Sequence, residues 1–144
     1  MSLFSSIDVS ASGMAAQRAR TEVLVENLAN SETTRTPEGG PYRRKDAVFT
    51  EEPVGSFSSE LDSALGNSLS GVAVSEIAVD TSAPEMRYQP GHPDADKDGY
   101  VAYPRINPAE DMVDLLGASR GYEANVAAIS AVKDMINKSL DLFK

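Results

Sequence analysis

The densest run of groups able to do chemistry in this chain is Pro90-Gly91-His92-Pro93-Asp94-Ala95-Asp96-Lys97-Asp98-Gly99. Asp94, Asp96, Asp98 and Gly99 match the first, third, fifth and sixth positions of a calcium loop, where alternating oxygens surround a hard ion and glycine makes the turn. The twelfth position, which should supply a bidentate glutamate, is Arg105, and no helical pattern precedes Asp94. A calcium-binding regulatory module is therefore the lesser reading. The preferred one is an Asp-rich turn whose carboxylates accept their own backbone N–H groups. His92 is the only histidine and there is no cysteine, so a zinc set lacks a second nitrogen or sulfur ligand. Neither a metal nor a cofactor is expected. Serine and aspartate are plentiful, but no Gly-x-Ser-x-Gly elbow or phosphate-binding glycine loop occurs, and catalysis is not expected.

Charge narrows the choice further. The net charge is -9, and residues 51–100 hold ten acids against Arg87 and Lys97, whereas both ends are nearly neutral. Nucleic acid needs a basic face to meet phosphates, so it is excluded as a partner. The short run Arg43-Arg44-Lys45 reads as a solvated turn or strand edge. No apolar run approaches the ~18 residues that would span a bilayer, and the amino terminus lacks the features of a cleavable signal. An acidic middle suits solvent; neutral ends suit packing against protein.

The elements that position these groups fall into three parts. From about Ser5 to Asn30 there is no proline. Leu3, Ile7, Ala11, Met14, Val25 and Leu28 form a stripe at helical spacing, with Ala15, Ala19, Val23 and Leu24 widening it. This predicts a helix near 38 Å long at about 1.5 Å per residue, with Gly13 its weak point. Ser31–Pro41 has loop composition. Tyr42–Thr50, Val72–Val79, Glu85–Tyr88 and Gly99–Tyr103 are strand candidates, and a parity change between Val74 and Ile77 points to a bulge or to burial on both faces. Residues 53–71 fit a short helix or a loop equally well.

Asn107-Pro108-Ala109-Glu110 opens a second long helix. Asn caps free N–H groups, Pro loses nothing at the first position, and Glu completes a capping box. Leu115, Tyr122, Ile129, Ile136 and Phe143 then recur every seven residues, and Ala118, Asn125, Val132 and Ser139 follow three later. Met112, Val126 and Leu140 widen the stripe. Gly121 lies inside this helix, where glycine is unfavourable unless another backbone approaches. Asn125 reads either as an edge residue or as a device that fixes register, since a wrong alignment leaves its amide unpaired. Two amphipathic ends cannot both expose their stripes, so they pair with each other or with copies of the chain.

Asn27-Leu28-Ala29-Asn30-Ser31-Glu32-Thr33 resembles the N-L-A-N-x-x-T signature of bacterial flagellar rod and hook proteins. Gly40-Pro41-Tyr42-Arg43-Arg44 stands for that family's Pro-Gly-Tyr-Lys/Arg after an extended Thr34–Gly39 segment. The Pro90–Asp96 and Asp98–Pro104 stretches resemble the part that marks a proximal rod component. Glu110-Asp111-Met112-Val113, Ala118, Arg120 and Tyr122 to Asn125 are similar to the shared carboxy-terminal signature.

The resemblance implies a structural subunit of the basal-body rod, the shaft that transmits torque from motor to hook around the export channel. It also implies export through the flagellar type III apparatus into the cell envelope. The implied partners are copies of itself, other rod proteins, and the membrane-ring or export-gate base. The expected fold is α+β. Residues 1–33 and 107–144 are expected as halves of one discontinuous, coiled-coil-like helical domain, and 34–106 as a β-rich insertion. Assembly contacts are expected at Leu28, Asn30, Leu115, Gly121, Tyr122, Asn125, Ile129, Ile136 and Phe143. Another helical self-assembling protein or adaptor would share the heptad row but not the combined end signatures.

Overall fold

A computed structural model describes residues 3–53 and 70–142. Helix α1 spans Leu3–Ala29, strand β1 Lys45–Pro53, β2 Ser70–Val79, β3 Glu85–Tyr88 and β4 Tyr100–Tyr103, and helix α2 spans Pro108–Asp141. The fold is α+β, with the two long helices packed on one another and small antiparallel sheets between them in sequence.

The cap read at Asn107 is formed. Its side-chain oxygen accepts the Ala109 N–H at 3.1 Å, and Pro108 takes the first helical position. Glu110 makes no reciprocal bond to the cap; among the described residues the inward-turned acid of this first turn is Asp111. With 27 and 34 residues the helices run about 40 and 50 Å.

Strands β1 and β2 pair antiparallel from Lys45 opposite Val79 to Pro53 opposite Ser70. Between Val48/Glu76 and Phe49/Val74 the register shifts, so Ser75 is the extra residue of a bulge, and its hydroxyl donates to the Val48 carbonyl at 3.2 Å. That is the parity change seen in the sequence. Strands β3 and β4 form a second antiparallel pair, and the two sheets share no ladder among the described residues. The β-rich middle expected from the sequence is built of two separate antiparallel pairs. The first lies against α1, and the Val72 N–H donates to the Ser12 hydroxyl at 3.1 Å.

Apolar burial is concentrated along the α1–α2 pair and under β1 and β2 on α1, at Ala16, Val23, Leu24, Ala118 and Val132. It is concentrated again around Val101, Tyr103, Ile106 and Tyr42. The α1 stripe read from the sequence is borne out only in part: Val23 and Leu24, read as widening it, are buried, but Ala11, Ala15 and Val25 are exposed, and Ala16 and Asn27, not read into it, are buried. The helix must cover a sheet as well as a helix, so its buried face is set by both neighbours and not by the row of largest side chains.

Candidate assembly interface

The centre of the helix pair is a row of small and polar residues. On α2, Ala118 and Val132 are buried, with Asn125 half-buried between them, while Leu115, Ile129 and Ile136 are half-buried along one flank. The row three residues on from the large heptad positions is therefore the middle of the seam. Tyr122 is 43% exposed and stands beside Met14, Ala15, Arg18 and Ala19 of α1. Met112, Val126 and Leu140, expected to widen the buried stripe, are all exposed. One helix partner covers only a narrow strip of α2, which leaves the rest of its apolar surface open.

Two glycines let the helices approach. A Cβ on Gly13 would stand 3.0 Å from Asn125 Oδ1 and 3.1 Å from Nδ2, and one on Gly121 would stand 3.2 Å from Gln17 Cδ. Each helix contributes a glycine and, four residues later, an amide that fits against the other's glycine. Gly121 was expected to admit a backbone; what it admits is the Gln17 side chain. Asn125 donates to the Gly121 carbonyl at 2.9 Å, which fixes its amide over Gly13. Gln17 Oε1 is buried without a hydrogen-bond partner among the described residues. Gly13, read from sequence as a weak point, is the tighter of the two glycine contacts of the seam. A glycine inside a helix could have signalled it, as it did for Gly121.

The N-L-A-N signature has a mechanical basis. Asn27 is fully buried; its Nδ2 donates to the Lys45 carbonyl at 2.7 Å and its Oδ1 accepts the Lys45 N–H at 3.0 Å. The amide thus pairs with the first residue of β1 as a neighbouring peptide group would. Tyr42 adds a third bond, its hydroxyl donating to Asn27 Oδ1 at 3.1 Å. Burial, and then the Glu26 carboxylate, push the Tyr42 hydroxyl up to about 12, so it remains a donor. Pinning Lys45 and turning Tyr42 inward explain why β1 begins at Lys45 and not at Tyr42. Asn30 donates to the Glu26 carbonyl at 2.9 Å and accepts from the Thr33 hydroxyl at 3.2 Å, closing the turn after α1. Leu28 is half-buried, and Phe143 lies outside the described residues, as do 54–69 and hence most of the helix-or-loop segment read at 53–71.

Asp111 was legible in the sequence only as part of the carboxy-terminal signature; its burial and its pairing with Arg44 were missed. Its side chain is fully buried, with Arg44 Nη2 3.2 Å from Oδ1. Neither carboxylate oxygen accepts a hydrogen bond among the described residues, so the pair is held by charge and not by an aligned bond. Burial pushes the Asp111 carboxyl above its usual range despite the opposing pull of Arg44, and Asp114, Asp46 and Glu110 add to the rise. Arg44 also meets Asp46 at 3.4 Å, and Arg20 of α1 meets Asp114 of α2 at 3.2 Å.

The acidic turn is occupied by its own chain. Asp96 Oδ1 accepts the N–H groups of Asp98 and Tyr100, each at 2.9 Å. Asp94 accepts from the Thr34 hydroxyl at 2.8 Å and pairs with Arg35. Gly99 has φ +82°, and a Cβ there would strike Tyr88, so glycine serves the turn. Among the described residues no three His, Asp or Glu groups gather to hold an ion.

Comparison with known proteins bears on this geometry at both ends. Residues 7–35 match the family model described as "Flagella basal body rod protein", and residues 97–142 that described as "Flagellar basal body rod FlgEFG protein C-terminal". A flagellar basal-body rod protein FlgC from Bacillus subtilis is 45% identical over 151 aligned residues covering all of both chains. The chain belongs to the FlgC family of flagellar basal-body rod proteins. The FlgC of Borreliella burgdorferi is 43% identical, over all of this chain and 99% of its own. That of Salmonella typhimurium is 38% identical, over 99% and 98%. As an FlgC-family chain it is a structural rod subunit and not an enzyme. The two matched regions hold most of α1 and α2, so the family signatures fall on the elements that form the seam and the Asn27 anchor.

Proposed function

We propose that this rod subunit builds the basal-body shaft by presenting the outer face of its helix pair to neighbouring subunits, copies of itself among them. The observation that carries the reading is the apolar surface left on α2: Met112, Val113, Leu116, Val126 and Met135 are exposed after α1 has covered the seam. Burying such side chains is worth about 1.5 to 3 kcal/mol each, so they favour lateral contacts. Family membership places assembly with other rod proteins beside this.

The finer parts follow from the same reading. Residues 1–33 and 107–144 act as two halves of one helical unit lining the export channel, 34–106 lies outside it, and the shaft so formed carries torque. Leu115, Gly121, Asn125, Ile129 and Ile136 maintain the pair, while Leu28, Asn30 and Tyr122 flank it and contribute to assembly, as does Phe143, which lies outside the described residues. Entry is by type III export, and the base contacts membrane-ring or export-gate components.

The test places a charge on the open face. Leu116→Asp and Val126→Asp should leave the circular dichroism and melting of the isolated chain unchanged, yet prevent its recovery in purified basal bodies and abolish swimming. Normal rods built from either variant would show that this face is not an interface.

A further inference from the structure

The β1–β2 hairpin has opposite charge at its two ends. At one end a cleft of about 110 Å³ is formed by Tyr42, Arg43, Arg44, Asp80, Ser82 and Arg105, among others. The cleft is built into the sheet, because the Asp80 N–H donates to the Arg44 carbonyl at 2.8 Å just beyond the Lys45/Val79 pair. Asp80 is already engaged, its Oδ1 accepting the Ser82 N–H at 2.8 Å. Arg44 is engaged by Asp46 and Asp111. Arg43 and Arg105 are exposed and form no ion pair within contact distance among the described residues, although, after the hydrogen bonds from Ser82, the Arg105 charge helps hold the Asp80 carboxyl below its usual range.

The other end lies about 25 Å away along the strands. There Glu51 and Glu52 are exposed, opposite Val72 and Gly71. Glu51 accepts the Ser70 hydroxyl at 2.7 Å, and Glu52 pairs with no cation among the described residues. No lysine or arginine occurs in the sequence between Lys45 and Arg87 to neutralise this end.

We propose that the Arg43/Arg105 cleft receives the Glu51/Glu52 end of β1 from a second copy of this chain. A guanidinium fork binds a carboxylate through paired N–H donors; successive strand residues point to opposite faces, so the carboxylate that enters the cleft is that of Glu52, while Glu51 faces the other side and holds Ser70. One hairpin cannot join its own ends, so the contact runs from one copy to the next. Contacts between unlike surfaces do not close on themselves unless a rotation brings them round, and repeated they give an open helical array, which is what a shaft requires. Exposed ion pairs hold weakly and orient well, so the contact sets the direction in which copies add while apolar faces supply most of the hold.

The proposal rests on the reading that copies of the chain are neighbours in the rod, and cross-linking separates the two. The chain has no cysteine, so introduced thiols are its only ones. Two differently tagged chains, one carrying Arg105→Cys and the other Glu52→Cys, are co-expressed, and isolated basal bodies are oxidised. A disulfide dimer bearing both tags is expected, at least tenfold above the control pair Arg105→Cys with Glu123→Cys. Rods holding both tagged chains but only background dimer would overturn the contact and leave rod membership intact. Failure of the cysteine-free parent to enter rods in the same cells would sink the underlying reading. Independently, Arg43→Glu with Arg105→Glu should reduce incorporation at least tenfold, and a co-expressed Glu51→Arg, Glu52→Arg chain should restore it. Loss without restoration would mean that the cleft holds some other carboxylate, and the second copy would be abandoned as its occupant.

Discussion

Gly13 of α1 lies beneath the amide of Asn125 of α2, so close that a methyl group would stand 3.0 Å from Oδ1. Asn125 is tied to the Gly121 carbonyl and cannot swing aside without losing that bond. Gly13→Ala should therefore lose more in the seam than the roughly 1 kcal/mol gained in helix propensity. A net destabilisation of about 1 kcal/mol is expected in thermal melts, relieved when Asn125→Ala is added. Gly121→Ala meets Gln17 Cδ and Cγ at 3.2 and 3.4 Å, a side chain whose Oε1 accepts no hydrogen bond among the described residues, so it should raise helicity with a smaller loss in the seam. Equal effects of the two alanines would refute the distinction.

Asn27 holds the helix-to-strand junction by three hydrogen bonds. Asn27→Leu fills similar space but leaves both Lys45 backbone groups and the Tyr42 hydroxyl without their partner. About 2 to 4 kcal/mol of stability should be lost. Asn27→Asp keeps the acceptor and sets a carboxylate oxygen against the Lys45 carbonyl, so it should also destabilise. Denaturant midpoints at constant slope are the measurement, and a near-neutral Asn27→Asp would show that the donor half of the pairing contributes nothing.

The Arg44–Asp111 pair predicts a pH dependence with a definite sign. Because the folded Asp111 carboxyl sits above its unfolded value of about 3.9, the folded state binds the proton more tightly between the two. Its contribution is fully present below the unfolded value and is lost as pH rises through the folded one. Arg44→Met removes the compensating cation and should cost about 3 kcal/mol at pH 7. That deficit should shrink as the pH is lowered through this window, and Asp111→Asn should recover most of it at pH 7. A deficit of the same size at pH 4 would argue against a buried uncompensated charge.

The acidic turn should not take up calcium in the physiological range. Two backbone N–H groups already occupy Asp96 Oδ1, and Thr34 and Arg35 engage Asp94. Titration by calorimetry should show no site tighter than about 1 mM. Saturable micromolar binding lost in Asp96→Asn would reverse that view.

What could be read from sequence was what local patterns encode. The Asn107 cap, the parity change at Ser75 and the Asx turn at Asp96 each depend on residues within a few positions, and each is formed. The α1 face and the breadth of the α2 stripe were misjudged because counting large apolar residues says nothing about which neighbour covers them. Asp111 and Arg44 lie 67 positions apart, and no spacing rule links an acid in a helix's first turn to an arginine before a strand. Asn27 was legible as part of a family signature but not as an anchor. Its partner depends on where β1 starts, and that start in turn depends on Asn27.

The Asn27–Lys45 pairing also changes what evolution can do with the segment between them. Once a side chain joins residues 27 and 45 as a ladder bond would, the connection is a closed loop whose ends no longer depend on its contents. Closure entropy grows only as the logarithm of length, at about 0.6 kcal/mol for each doubling. Added or deleted residues around Thr34–Gly39, where this chain departs from the usual signature, would leave α1 and β1 in register. The segment can therefore vary in length at residues 37–39, beyond the Thr34 and Arg35 contacts to Asp94, and rod subunits of different reach can be made from one unchanged helical frame.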